Sequence, residues 1–272
     1  MSLKWILLLP ALAITSNATV AQQASAPVVR DPQAVLILER AITAMGGRAS
    51  VAALTDVVAT GTVTLTGRAS DPRGPGTFLW EDNLTDSLHN FRKETRYADG
   101  SNNILVSKDG QASRSRPGAA PETYGSHVAL ANPPFHMPLI LLLRHLDDPT
   151  YSFTLRGSST TNGLTIVDVH AESTKNPLTT LLSPQDWYFD AATGLPVSVD
   201  ARFPETSHAF TYTVATVIFA DYRSVQGLLV PFRLQIDVKQ IKASTTIYTL
   251  QTVEFNHSLS SSEFEIQTGA GL

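Results

Sequence analysis

Cysteine is absent from the chain's 272 residues. That excludes disulfides, thiolate metal centres and a cysteine nucleophile, and also a bacterial lipid anchor, which is attached through a cysteine at the cleavage site. Charge is sparse: Asp, Glu, Lys and Arg make up 16% of the residues, and 20 basic against 24 acidic groups leave a net charge of −4. With no basic run anywhere, nucleic acid is a poor partner. Long apolar runs are also missing beyond the N-terminal stretch, so no later segment predicts a transmembrane anchor. An exported chain without disulfides must rely on a large apolar core, and about 250 residues can supply one.

What is present at the N-terminus reads as an export signal. Lys4 supplies a positive start, Trp5 to Ile14 form an apolar run broken only by Pro10, and Thr19-Val20-Ala21 offers small residues at the cleavage positions. The run is too short for a bilayer of roughly 30 Å. The pattern predicts a cleaved signal peptide over 1–21, a flexible leader over 22–30 and one domain over 31–272, in a periplasmic or secreted protein.

The rest is dominated by runs with apolar residues on alternate positions, separated by residue–Gly turns: Asp99-Gly100, Asp109-Gly110, Asn162-Gly163, Thr193-Gly194 and Gln226-Gly227. Such pairs tolerate the positive φ of tight hairpins. Phe232, Leu234, Ile236 and Val238 alternate with polar neighbours, as do Val197, Val199, Ala201 and Phe203; each run therefore has one dry and one wet face. Strands are expected from Val57 to Leu65, near 77–83, 88–97, 103–108 and 111–115, through Tyr151 to Phe255, and in a closing short strand near Phe264. Asp31 and Pro32 cap a helix over 32–45, which Gly46-Gly47 ends. A helical turn is expected over Ser50 to Leu54. A Gly/Pro-rich loop from Pro117 to Pro134 precedes the most apolar later segment, Phe135 to Leu146, a second principal helix.

Roughly ten strands at about 4.8 Å make a sheet near 48 Å wide, while a helix covers about 10 Å. Two or three short helices cannot cover that width, so the sheet must curl around them. The expectation is a mainly β protein of the α+β type: a single curved antiparallel sheet forming an unclosed half-barrel, with helices as lid or plug.

Particular residues carry a resemblance. Asp186 to Val197 (DWYFDAATGLPV), Asp221 to Pro231 (DYRSVQGLLVP), Val253 to Asn256, and Ala41 to Gly47 (AITAMGG) together resemble exported proteins of the LolA/LolB-like lipoprotein-carrier superfamily. The resemblance implies an unclosed barrel whose apolar concave face accepts acyl chains under helical caps. It implies no catalytic residue. The missing lipid-anchor cysteine matches the soluble periplasmic carriers rather than the anchored acceptors.

Chemistry-bearing clusters are poor. Ser126-His127 and Ser207-His208 lie outside any Gly-x-Ser-x-Gly elbow. His136 and His145 sit nine apart, on opposite sides of a helix, and Asp147-Asp148 before Pro149 marks a helix exit. Asp168, His170 and Glu172 share one strand face, which a solvated surface explains as well as a cation would. Asn83-Leu84-Thr85 and Asn256-His257-Ser258 match a glycosylation sequon that chance often produces. No enzyme, metal or cofactor is expected. The candidate ligand-binding residues are Leu139, Leu142, Leu143 and Leu146 on the apolar helix, with Trp80, Trp187 and Phe189 as cavity walls. Two functions remain: a non-enzymatic carrier of a lipid, an acylated protein such as a lipoprotein, or another hydrophobic ligand; and a protein-interaction or sensor module of the same fold with a filled interior.

Overall fold

The computed structural model describes residues 27–67, 74–85, 90–130, 132–161, 163–205, 208–238 and 244–266. The expected signal peptide, Asn162 and Ser207 lie outside them. The strands are β1 (Asp56–Thr66), β2 (Gly76–Asn83), β3 (Phe91–Tyr97), β4 (Asn102–Lys108), β5 (Gln111–Ser115), β6 (Glu122–Tyr124), β7 (Tyr151–Thr161), β8 (Leu164–Ser173), β9 (Gln185–Asp190), β10 (Pro196–Glu205), β11 (His208–Val225), β12 (Leu228–Val238) and β13 (Ser244–Phe255). The helices are α1 (Pro32–Ala44), α2 (Gly47–Val51), α3 (Ser126–Leu130), α4 (Pro138–Asp147) and α5 (Pro177–Leu182), followed by a 3-10 turn at Ser261–Phe264.

All thirteen strands form one antiparallel sheet in the order β6-β5-β4-β3-β2-β1-β13-β12-β11-β10-β9-β8-β7. Strands consecutive in sequence pair with each other throughout, except β6 and β7, and the two runs are joined where β1 pairs with β13. The two end strands, β6 and β7, do not pair with each other, so the sheet is an unclosed half-barrel. The hairpin turns follow from local chemistry: Asp109 and Gly110, and likewise Gln226 and Gly227, both hold positive φ, the geometry whose twist matches the flanking strands.

The centre of the sheet is pinched. Pairing between β1 and β13 shifts register at Thr60/Gly61. A Cβ on Gly61 would lie 2.1 Å from the Thr249 carbonyl oxygen and 2.8 Å from the Phe78 ring. Only glycine permits that approach.

The helices fill one part of the hollow. Asp31 caps α1, accepting from the Gln33 backbone N–H at 2.8 Å, and α1 buries Ala34, Leu38, Ala41 and Ile42. Its far end is pinned where the Leu229 N–H donates to the Met45 carbonyl, 2.9 Å. The helix α4 buries eight of its ten residues. It is tied at its C-terminal end, by Arg144 donating to the Leu84 carbonyl at 2.9 Å and by Arg30 donating to the Leu146 carbonyl at 2.5 Å.

Several expectations from sequence need correcting. Val29 and Arg30, expected to end a flexible leader, are tied to β7: Phe153 N–H donates to the Val29 carbonyl at 2.7 Å. The short helix after α1 is Gly47–Val51, earlier than 50–54. The third strand begins at Phe91 rather than 88. The apolar helix begins at Pro138, which occupies its first turn and keeps the preceding Met137 out of helical geometry, and a hydrogen-bonded turn over 134–137 leads into it. The Gly/Pro-rich loop contains β6 and α3. The stretch near Phe264 is a 3-10 turn, not a strand; β13 is already flanked by β1 and β12, leaving no sheet edge there to join.

Candidate functional site

The wet-and-dry alternation of β2 to β5 places one cross-strand row on the concave face: Trp80 pairs with Lys93, Lys93 with Leu105, and Leu105 with Arg114. This row forms part of the wall of a partly open cavity of about 230 Å³. Thr95 and Asn103 continue the wall from the next row. The opposite wall comes from the far side of the curl: Phe203 of β10, Leu234 and Ile236 of β12, and Tyr248 of β13. Asn132, Pro133, Phe135 and His136, ahead of α4, form the remaining boundary. Arg114 on β5 and Phe203 on β10 are eight strands apart in the sheet, about 38 Å if it were flat. Their sharing one cavity measures the curl.

The wall is aromatic at its centre. The Trp80 ring lies 4.4 Å from Phe78, 4.7 Å from Tyr248 and 4.9 Å from His136, centroid to centroid. Phe135 packs on Phe203 at 5.7 Å. Burial pushes the Tyr248 hydroxyl up to about 12, with the nearby Tyr97 adding to the shift.

Two cations interrupt this wall. The Lys93 ammonium stands 5.0 Å from the Phe91 ring centroid and 5.8 Å from that of Trp80. Desolvation lowers its pKa, and the Asp82 charge partly offsets that. Asp82 is itself fully buried, with His136 Nε2 at 3.2 Å. The Arg114 guanidinium lies 5.8 Å from the Tyr124 ring, and its Nε is buried without a hydrogen-bond acceptor. Among the described residues no carboxylate comes within ion-pair distance of Lys93 or Arg114. Glu122, opposite Arg114 on β6, instead accepts from the Tyr124 hydroxyl and pairs with Arg116.

Of the residues singled out from sequence, Trp80 lines this cavity. Leu139, Leu142, Leu143 and Leu146 do not; they are buried in the main core. Trp187 and Phe189 belong to that core as well: the Trp187 ring is stacked 6.0 Å from Phe219, and its N–H donates to Gln185 Oε1 at 2.8 Å. Lys93 and Arg114, which also line the cavity, are not among the residues the sequence singles out. The signal was present in β3, Phe-Arg-Lys-Glu-Thr-Arg-Tyr, where a lysine falls on the same parity as Phe91.

The other polar residues singled out from sequence make local contacts away from this cavity. His145 is buried and stacked 4.3 Å from Tyr151, and its pKa is pushed down to about 3 by desolvation. Asp147 pairs with Arg48 at 2.7 Å, and Asp148 accepts from the Thr150 N–H. His170 lies 2.6 Å from Asp186, a hydrogen bond that raises the histidine's pKa and lowers the aspartate's. Among the described residues, no group of three or more His, Cys, Asp or Glu could hold a metal ion, and no helix is long and apolar enough to cross a membrane.

An unclosed antiparallel half-barrel with helices in its hollow defines a structural class. No family model and no curated protein matches the chain. Solved structures do share the fold. A DUF1329 family protein from Desulfovibrio piger has a TM-score of 0.56 at 13% identity, over 85% of this chain and 97% of that one. A putative outer membrane lipoprotein-sorting protein domain from Vibrio parahaemolyticus scores 0.53 at 14% identity, over 84% and 95%. A LolA superfamily protein from Nitrosomonas europaea scores 0.53 at 9% identity, over 85% and 97%. The fold is that of LolA superfamily and lipoprotein-sorting domains.

Proposed function

We propose that the protein is a non-enzymatic periplasmic carrier or binding protein for a lipid, an acylated protein or another hydrophobic ligand, exported by a signal peptide over 1–21. The observation that carries this reading is the cavity on the concave face, walled by Trp80, Leu105, Phe135, Phe203, Leu234, Ile236 and Tyr248. Apolar walls with a few placed polar groups are the usual make-up of a small-molecule site. The fold shared with a lipoprotein-sorting domain supports the same reading.

Size limits the cargo. Small-molecule sites usually span about 300–1,000 Å³, and this cavity lies just below that range. At about 30 Å³ for each water-sized group, it encloses seven or eight chain carbons, and its open side leaves the end of a longer chain outside. Burying that many methylenes yields about 6 kcal/mol before entropic costs, which suits reversible, weak binding. One chain segment fits; several acyl chains would require the helices to move.

A second reading has its own observation. The dense packing of α4, whose leucines are buried in the main core, suits an interaction or sensor module with a filled interior. Native mass spectrometry of protein purified from its own host separates the two. Co-purified lipid is expected; a bare protein that also takes up no fluorescent fatty-acid probe would overturn the carrier reading.

A further inference from the structure

We infer that the cavity takes a single-chain amphiphile with an anionic head, its carboxylate or phosphate held by Lys93 and Arg114 and its chain lying along Trp80, Leu234 and Ile236. This rests on the carrier reading and names its ligand class.

The reason is an imbalance of charge within an apolar site. A sheet position facing the hollow is ordinarily apolar, because burying a charge without a partner is costly. Lys93 and Arg114 both occupy such positions, in one cross-strand row with Leu105 between them. Two strand spacings, about 10 Å, separate their backbones, a span their long side chains can close onto one head. No described acid pairs with either cation: Asp82 faces His136 and acts on Lys93 only from beyond ion-pair distance, and Glu122 is taken by Tyr124 and Arg116. Among the described residues, Arg114 Nε has no acceptor. The aromatic faces near Lys93 stabilise its charge only in part. An entering anion would supply the missing acceptor in a water-poor site, where charge-assisted hydrogen bonds are strongest. A cationic head would meet two like charges, and a neutral alcohol would leave both unneutralised.

The test uses the protein starting at Gln22 and three ligands of equal chain length: decanoate, decanol and decyltrimethylammonium, measured by displacement of a fluorescent probe. Decanoate should bind about tenfold or more tightly than decanol, and the ammonium most weakly. Decyl phosphate and free inorganic phosphate form a further arm; the phosphate alone should not displace the probe, because the chain supplies the burial. Lys93→Met and Arg114→Gln should each reduce the preference for acid over alcohol, read as the ratio of the two affinities in the same variant, with circular dichroism checking the fold. Equal binding of decanoate and decanol by the unaltered protein would overturn the head-group inference and leave the carrier reading standing. Failure of all the amphiphiles to bind would remove both, and tight binding of inorganic phosphate alone would replace the amphiphile with a simple anion.

Discussion

Two stretches of one concave face, built by the same alternation, carry opposite contents. On the β8–β12 side a cross-strand row runs Val169, Trp187, Val199, Val217 and Ile236, and its first four members are completely buried beneath the helix-filled core. On the β2–β5 side the equivalent row runs Trp80, Lys93, Leu105 and Arg114 and borders a cavity. The difference lies in what covers each. The helices α1 and α4 belong to the main core, whereas the satellite core of Phe91, Leu105, Ala112 and Val128 has only the five-residue α3 above it. Where a full helix docks, the sheet can be wholly apolar. Where none does, a cavity is left against the dry face, and Lys93 and Arg114 stand in its wall.

The sharpest way to break this contrast is Leu142→Glu. Leu142 is 1% exposed in the filled half, and a carboxylate there would be buried without a partner. The expected loss is about 4 kcal/mol or more, seen as collapse of the thermal melt. A variant that keeps its melt and loses only ligand uptake would make α4 a movable lid rather than a plug.

Next in size is a matched pair. Trp187→Ala should cost about 3–5 kcal/mol, because that ring is enclosed on all sides and stacked on Phe219. Trp80→Ala should cost roughly 2 kcal/mol less, since one flank of its ring already borders the cavity. Chemical denaturation of both variants reads the difference directly. Equal losses would mean that the cavity side is packed as tightly as the other.

Acid reads the filled half through His145. Its folded pKa is pushed down to about 3 by desolvation, against about 6.5 when unfolded. The unfolded state therefore binds more protons within that window. Stability is fully present above pH 6.5 and is lost as pH falls toward 3. His145→Phe, which keeps a ring against Tyr151, should flatten that acid limb relative to the unaltered protein. Parallel pH profiles would remove His145 from the account.

The same two halves differ in how much of them the sequence discloses. Hairpins at Asp109-Gly110 and Gln226-Gly227 are legible because the turn chemistry is local. The α1 start is legible because Asp31 and Pro32 are local signals. The equivalent signal at Asn176 and Pro177, which caps α5 with Asn176 accepting from the Thr179 N–H, was there but is short enough to be lost among strands. Strand β6 and helix α3 depend on tertiary contacts, Val128 packing into the satellite core, and nothing in a Gly/Pro-rich run announces them. The apolar helix drew attention as a binding element because hydrophobicity is easy to see, and it lies in the main core. The cavity is built from residues of seven strands and one loop, with Phe203 brought to Arg114 only by the curl. No periodicity records that meeting.

The smallest effect, and the one of opposite sign, is expected at Lys93. Desolvation holds its folded pKa below that of an unfolded lysine, so between those two values the unfolded chain binds more protons. Stability of the ligand-free protein should accordingly rise with pH through that window, and the charged lysine is a standing cost below it. Replacing Lys93 by Met keeps an unbranched chain of similar length against Trp80 and Phe91 and removes the charge. The variant should be more stable at neutral pH by about 1 kcal/mol and should lack the alkaline rise. Tyr248, raised by burial, titrates in both proteins, so the difference between their profiles isolates the lysine. A residue that weakens the empty protein yet sits beside Trp80 in the cavity wall is what a binding group would look like before its ligand arrives. If Lys93→Met instead destabilises, the ammonium already has its partner within the protein, Asp82 being the nearest source of it, and the open half is charged for structural reasons rather than for an anion.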